Sequence, residues 1–181
     1  MSTAKTWSVR GSNRPLESRW ISVRADDCVT PSGAVVSPFY VFESPDFVNV
    51  VCLDTEDHVI LVRQYRHGFG GLCLELPGGL VDPGETDLLG VAARELQEET
   101  GYRDGDLSHV TTLSIDPSRY TNRQHLVLAR GVTRGQPNPD ASEDIEVVRV
   151  PREEARQLAL SGGITNAAHV GMLMIGLSWA A

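Results

Sequence analysis

A strand, a glycine loop and an acidic helix follow one another between residues 72 and 102, and this run constrains the chain more than any other. The apolar run 72–76 predicts a strand, and Pro77-Gly78-Gly79 predicts a loop after it. Further on, Gly101 stands where a left-handed residue ends a helix. The helix before it has one apolar face, which predicts packing against a sheet and consists of Leu88, Leu89, Ala92, Ala93 and Leu96.

The other face of this helix is acidic. Glu95, Glu98 and Glu99 are three and four residues apart, so they share a helix face, and like charges at that spacing destabilise a helix. A bound cation would reverse the penalty, and ligands that are all oxygen suit a hard divalent ion, Mg²⁺ or Mn²⁺. The alternative is an ordinary solvated acidic surface, which is the commoner meaning of a charge run on a helix.

This segment resembles the Nudix box, whose conserved positions match Gly79, Glu85 and the run Arg94-Glu95-Leu96-Gln97-Glu98-Glu99-Thr100-Gly101-Tyr102. Eight residues separate Glu85 from Arg94, where the family pattern has seven. We place the extra residue at the helix start, where Asp87 is a candidate N-cap. The insertion changes the spacing on which pairing between Glu85 and Arg94 depends, and it leaves the acidic end of the box intact.

Other segments are similar to the ADP-ribose pyrophosphatase branch of that family. They are the run 63–66 followed by 74–79, the runs 142–147 and 163–168, and Pro117, which lies 15 residues after Tyr102. The resemblance implies an α/β fold, an α/β/α sandwich around a mixed sheet with an N-terminal antiparallel strand region. It implies metal-dependent hydrolysis of ADP-ribose to AMP and ribose 5-phosphate by a homodimer whose N-terminal strands are exchanged or packed across the interface.

The resemblance also implies a metal site. Glu95 and Glu99 are the expected primary ligands, the carbonyl of Gly78 is the matching backbone ligand, and Glu98 binds a further ion. Arg94 is expected to hold neighbouring carboxylates in place.

Two further acidic residues are candidate catalytic groups by resemblance. Glu85 is the first glutamate of the box and the expected partner of Arg94. Glu143, in a late loop, is the candidate general base that takes a proton from the attacking water. The alternative for Glu143 is an ordinary exposed loop glutamate.

Residues just before the box are candidates for substrate binding. Arg63 and Arg66 lie at the end of a predicted strand, just before a separate glycine-rich segment over residues 67–71. The planar guanidinium group suits phosphate oxygens, so Arg66 is the expected diphosphate contact. Glu75 belongs to the same set. Trp20 resembles a tryptophan that stacks on adenine across the dimer in some members, although a tryptophan in a strand more often packs in a core or interface.

Composition narrows the class of protein. The 181 residues are 41% hydrophobic and carry a net charge of −8, which disfavours a nucleic-acid partner and allows a small anionic substrate. The three cysteines have no metal-ligand spacing and are interpreted as reduced thiols. The polar start predicts no signal peptide, and no apolar run is long enough to span a bilayer, so we expect a cytoplasmic protein with no membrane partner.

The remaining chain predicts two regions, an N-terminal strand region over 1–45 that dimerises and a Nudix hydrolase domain over 46–181. Residues 1–18 are polar and predict a flexible start. Strands are predicted over 20–24, 35–42, 47–53, 58–65, 109–115, 124–129 and 145–150, and helices over 151–160 and 166–180.

Two alternatives to an ADP-ribose hydrolase remain. The same box serves hydrolases of other nucleotide sugars, dinucleotides and nucleoside triphosphates, and the discriminating residues lie in loops. A non-catalytic ADP-ribose-binding sensor is a different class; such modules typically lose box glutamates, whereas Glu95, Glu98 and Glu99 are all present here.

Overall fold

The computed structural model describes residues 5–136 and 144–180, which form two compact units. The first unit contains the described residues up to Pro45 together with Ser114–Arg123. The second contains Asp46–Leu113 and the described residues from Gln124 onward. The strands are β1 (Ser8–Glu17), β2 (Ser22–Val29), β3 (Val35–Glu43), β4 (Phe47–Asp54), β5 (His58–Arg66), β6 (Gly71–Glu75), β7 (Gly78–Leu80), β8 (Tyr102–Arg103), β9 (Asp106–Ser114), β10 (Arg123–Arg134) and β11 (Glu146–Pro151), and the helices are α1 (Leu88–Thr100), α2 (Arg152–Ser161) and α3 (Ala167–Trp179).

The first unit is built on a three-stranded antiparallel sheet in the order β1-β2-β3. The prediction of a flexible start is wrong, because residues 8–17 form β1 and pair with β2 from Ser8–Val29 to Glu17–Ser22. Almost all of β1 is exposed, so no alternation of buried and exposed side chains marked it in the sequence. Its stability comes from backbone pairing to a neighbouring strand rather than from burial.

The second unit contains an eight-stranded mixed sheet. The main path runs β11-β5-β4-β10-β8, with β6 on β5, β7 on β4 and β9 on β10. β4 and β10 are parallel, while β4 and β5 form the predicted antiparallel hairpin. Strand β7 is new to the structure: the segment predicted as a glycine loop pairs with β4, placing Gly79 opposite Val48 and Gly78 opposite Asn49.

Two hydrophobic layers flank this sheet and confirm the predicted sandwich. One layer packs α1 against alternate side chains of the central strands, including Val48, Val50 and Val127. The other packs α2 and α3 against the opposite side chains, including Val51 and Leu128. The central strands are buried on both faces, as expected where helices cover a sheet on both sides.

Helix α1 begins and ends as predicted. The Asp87 side chain accepts from the Gly90 N–H at 3.0 Å, and Gly101 takes the left-handed conformation with φ 75°. The buried face differs from the prediction at three positions. Val91, Ala92 and Leu96 are buried, whereas Leu89 and Ala93 are exposed.

Two predictions about the whole chain can be compared with the described residues. All three cysteines are free thiols and are buried, as expected for reduced cysteines. No helix among residues 5–136 and 144–180 combines the length and the apolar character that crossing a bilayer requires.

Candidate active site

The glycine loop and helix α1 are joined through Glu99. The Glu99 carboxylate accepts a hydrogen bond from the Gly78 N–H at 2.9 Å, and the residue is only 5% exposed. Gly78 has φ 154°, and a Cβ there would lie 2.0 Å from the carbonyl oxygen of Val48. The close approach to β4 therefore requires glycine, and it carries the peptide of Gly78 to the acidic end of the helix.

Glu95, one turn earlier on α1, lies against the next glycine. A Cβ on Gly79 would lie 2.4 Å from the Glu95 carboxylate, so the carboxylate occupies space that any other residue would fill. Glu95 and Glu99 thus contact adjacent residues of the loop. The structure brings together three of the four residues predicted to bind metal, Gly78, Glu95 and Glu99, and does so through direct loop–helix contacts.

Arg94 spans the remaining acidic side chains of the helix. Its Nη1 lies 2.8 Å from Glu95 and 3.1 Å from Glu98. Although partial burial lowers the pKa of the Arg94 guanidinium, the charges of Glu95 and Glu98 outweigh it and raise that pKa above its usual value. Arg94 therefore neutralises part of the repulsion between carboxylates that the sequence pattern places on one face.

Glu85 takes a different position from the one that the family pattern suggests. Its carboxylate accepts from the Asp82 N–H at 3.3 Å, within the turn before the helix. The ion pairs of Arg94 in the described part of the chain are with Glu95 and Glu98. The insertion between Glu85 and Arg94 accompanies this local arrangement.

The donor atoms at the loop–helix contact fit a divalent metal ion. They are the carboxylate oxygens of Glu95 and Glu99, the type of ligand preferred by Mg²⁺ and Mn²⁺. Within residues 5–136 and 144–180, no three acidic, histidine or cysteine side chains already converge as a closed ligand group. The reason is visible in the contacts: Glu99 turns to the Gly78 N–H, while Glu95 and Glu98 turn to Arg94. A cation would compete with these partners for the same oxygens.

A second charged cluster lies on the β5–β6 hairpin. The Arg66 Nε donates to Glu75 at 2.6 Å. Glu75 is 3% exposed, whereas the Arg66 side chain is 47% exposed. The other oxygen of Glu75 accepts a long hydrogen bond from the Asn166 amide at 3.5 Å. Glu75 stands three residues before Gly78, so in sequence it lies just before the glycine loop.

His169 supports this region from α3. Its Nδ1 accepts from the Leu76 N–H at 3.1 Å, which requires the neutral ring. Burial lowers the pKa of His169 to about 4, since the opposing charge of Glu75 raises it less than burial lowers it. His169 has no paired ligand spacing in the sequence, and its contact with the Leu76 N–H gives it a structural role.

Two other predicted residues have partners outside these clusters. Arg63 pairs with Glu146 of the neighbouring strand β11, at 2.9 Å, and both side chains are exposed. Trp20 belongs to the first unit, is 61% exposed, and has the Arg19 guanidinium 4.1 Å from its ring centroid. Glu143 lies outside the described residues.

The structure adds a buried polar pair that the sequence analysis did not select. The Asn49 amide donates to Gln124 at 2.6 Å between the parallel strands β4 and β10, and both residues are buried. Asn49 is the residue opposite Gly78 in the β4–β7 pairing. The signal was present, because Asn49 interrupts an otherwise apolar strand, and buried amides need partners.

Comparison with known proteins decides the family. The model of the NUDIX domain matches residues 44–168, and that of the nucleoside diphosphate sugar hydrolase N-terminal domain matches residues 7–42. The chain belongs to the NUDIX family. This confirms the resemblance seen in the box and the prediction of a Nudix-type hydrolase, a family whose members generally use a divalent metal ion.

Several curated NUDIX proteins are similar to this chain. A CMP-5'-(N-acetyl-N-hydroxy-3-aminopropyl)phosphonate hydrolase of Streptomyces rubellomurinus is 33% identical over 93% of this chain and 82% of its own. An ADP-ribose pyrophosphatase of Mycobacterium tuberculosis is 33% identical over 85% of this chain and 75% of its own. Among solved structures, an ADP compounds hydrolase aligns with a TM-score of 0.84 and 26% identity, over 99% of this chain and 96% of that one.

Proposed function

We propose that this NUDIX protein hydrolyses the diphosphate linkage of ADP-ribose, giving AMP and ribose 5-phosphate. The observation that carries the proposal is the contact of Glu95 and Glu99 with the glycine loop, which sets an oxygen-rich site beside Gly78. Relatives named ADP-ribose pyrophosphatase and the ADP compounds hydrolase of known structure support the choice of substrate.

The carboxylates of Glu95, Glu98 and Glu99 and the carbonyl of Gly78 would hold the divalent ion, which we propose is Mg²⁺, with Mn²⁺ as a substitute. When bound, such an ion offsets the negative charge of a diphosphate and makes a nearby water more acidic. Arg94 pairs with both Glu95 and Glu98 and so holds these two carboxylates close together.

The reaction adds water across one phosphoric anhydride bond. Water attacks one phosphorus, the bridging P–O bond breaks, and the two phosphate monoesters leave. Arg66 would contact the diphosphate, because its side chain is half exposed and is paired with Glu75, three residues before Gly78. Glu143 is our candidate for the base that takes the proton from water, by its place in the sequence.

A second substrate class is favoured by one specific observation. The relative that aligns over 93% of this chain is named for a CMP-linked phosphonate rather than for ADP-ribose. The proposed metal site and Arg66 act on the linked phosphorus groups of the substrate and do not distinguish one nucleobase from another. The same machinery would therefore cleave a CMP-linked phosphonate, with the nucleoside chosen elsewhere in the chain.

We further propose that the protein acts as a cytoplasmic homodimer in which Trp20 contributes to nucleoside binding. The first unit exposes several large apolar side chains on or next to its strands, which supports association through that unit. They are Trp7, Val9, Leu16, Trp20, Val35 and Tyr40.

The test is product analysis with a substrate panel in the presence of Mg²⁺. The panel contains ADP-ribose, ADP-glucose, NADH, a dNTP and a CMP-linked phosphonate. The highest kcat/KM for ADP-ribose, with AMP and ribose 5-phosphate as products, is the expected result. Preference for the phosphonate would replace the substrate and keep the mechanism. Tight binding of ADP-ribose without turnover of any member would overturn the proposal in favour of a sensor.

A further inference from the structure

We propose that Glu75 is a positioning residue for substrate binding: it fixes the Arg66 side chain so that its terminal nitrogens face the diphosphate. The inference rests on the proposed function and deepens it, because it assigns Glu75 to Arg66 rather than to the substrate. Arg66 touches the ligand, and Glu75 acts only through Arg66.

Burial separates the roles of the two side chains. Glu75 has a side chain that is 4% exposed, so little of it is accessible to a ligand, whereas 47% of the Arg66 side chain is exposed. A buried carboxylate requires a partner of opposite charge, and Arg66 supplies it at 2.6 Å. The ion pair therefore ties a solvent-facing guanidinium to a fixed interior point.

The contact with Glu75 leaves the two terminal nitrogens of the Arg66 guanidinium available for a ligand. The hydrogen bond to Glu75 is made by Nε. The two terminal nitrogens lie on the far side of the planar group and form the fork that suits two phosphate oxygens. A lysine would offer a single ammonium group, which lacks this division between an anchored side and a binding side.

Glu75 is in turn held by the start of α3. The Asn166 side chain caps that helix by accepting from the Ala168 N–H at 3.0 Å, and its amide donates to Glu75 at 3.5 Å. The N-terminal end of a helix carries partial positive charge, which favours an anionic group beside it. The carboxylate is thus fixed from the interior side while Arg66 is held from the surface side.

The other ionisable group near Glu75 does not replace Arg66. His169 accepts a hydrogen bond from the Leu76 N–H through Nδ1, so its ring is neutral. Arg66 is therefore the full positive charge paired with Glu75 in the described part of the chain. Removing the charge of Glu75 would release Arg66 from its fixed orientation without disturbing the metal site.

A double-mutant cycle tests this coupling. Glu75→Gln keeps the size of the side chain and removes its charge; we expect KM for ADP-ribose to rise about tenfold, with kcat changed less than about twofold. Arg66→Ala should raise KM at least as much. The double variant should bind no worse than Arg66→Ala alone, because Glu75 has nothing left to position. Arg66→Lys should resemble Arg66→Ala in KM.

The matched control is Glu56→Gln, which breaks an exposed pair with Arg149 at the opposite end of β5 and should leave KM unchanged. Thermal melting of each variant shows whether it is folded. Multiplicative effects of Glu75→Gln and Arg66→Ala on KM, or a fall in kcat with KM unchanged, would overturn the proposal.

Binding measurements separate this inference from the proposed reaction. Calorimetry in EDTA gives the dissociation constants of ADP-ribose and inorganic pyrophosphate for the unaltered chain, Glu75→Gln, Arg66→Ala and the double variant. If the unaltered chain binds but hydrolyses nothing, the proposed reaction fails while the coupling between Glu75 and Arg66 can still be read from these constants. If Arg66→Ala leaves both constants unchanged, Arg66 is not a phosphate contact and the inference is wrong.

Discussion

At the scale of the residue, the site depends on the absence of single side chains as much as on their presence. Gly79 has no Cβ, and the Glu95 carboxylate lies where one would be. Gly78 leaves room for the carbonyl of Val48 in the same way. The two glycines therefore bring helix α1 close enough for Glu95 and Glu99 to reach the loop.

Gly79→Ala should reduce kcat at least about tenfold, because Glu95 must move away from the loop and a displacement of about 1 Å at a reacting centre has large effects. The loss of stability should be small, since the clashing group is the end of a flexible side chain. Steady-state kinetics and melting measure the two effects. Gly171→Ala, which meets nothing within 4 Å, is the control and should retain full activity. Full kcat in Gly79→Ala would contradict the assigned position of Glu95.

His169 gives a pH dependence whose sign follows from its burial. Its pKa is about 4 in the folded chain and about 6.5 when exposed, so the unfolded chain binds more protons between these values. Its contribution is therefore fully favourable above about pH 6.5 and is lost as pH falls toward 4, by about 3 kcal/mol in total.

The measurement is urea unfolding at pH 7 and pH 5 for the unaltered chain and for His169→Asn, which lacks the titrating ring. The difference in unfolding free energy between the two pH values should be smaller in the variant. An equal difference in both proteins would show that His169 is not protonated on unfolding in this range.

At the scale of the element, the sequence predicts best where one element carries its own signals. Helix α1 has a capping aspartate, an apolar face and a terminal glycine, and it forms within a residue or two of its expected bounds. The β4–β5 hairpin has two apolar runs and a tight turn. These elements depend on short-range patterns that the chain displays locally.

Other elements form only through their neighbours, and these were missed. β1 is polar and exposed and exists because β2 pairs with it. β7 is a glycine segment that pairs with β4. The same holds for the site. The spacing of Glu95, Glu98 and Glu99 could be identified in the sequence. The contact of Glu75 with Arg66 could not, because it depends on the fold of a hairpin and on α3.

The start of α3 should be measurably stabilised by its cap. Asn166→Ala removes the acceptor for the Ala168 N–H and should lower the free energy of unfolding by about 1 kcal/mol. Asn166→Ser loses the amide that reaches Glu75 but keeps a capping oxygen. Because the cap is retained, this variant should recover most of the stability. Chemical denaturation distinguishes the two, and equal losses in both variants would show that the cap is not the stabilising contact.

At the scale of the whole molecule, the net charge of −8 is compatible with a small anionic substrate only where local groups receive it. Arg66 and the proposed metal ion are such groups. The exposed apolar side chains of the first unit bear on association. They lie on or next to its strands, whereas α1 and the glycine loop belong to the second unit.

Light scattering should give a mass twice that of one chain. Val9→Glu combined with Val35→Glu should shift the protein toward the monomer, because both side chains are exposed and apolar on the N-terminal strands. Leu160→Glu on α2 is the matched control, since it is equally exposed but lies in the other unit. A monomeric unaltered chain, or a control that dissociates as readily, would contradict association through the first unit.

In the proposed reaction, the oxygen ligands of the glycine loop and α1 hold a divalent ion that is needed to hydrolyse a diphosphate. The most direct measurement is product formation from ADP-ribose, with and without Mg²⁺, by the unaltered chain and by Glu99→Gln. Equal amounts of AMP and ribose 5-phosphate should form only with Mg²⁺, and kcat should be at least about a hundredfold lower in the folded variant. Normal turnover by folded Glu99→Gln, or turnover that does not respond to metal, would contradict the proposed metal site.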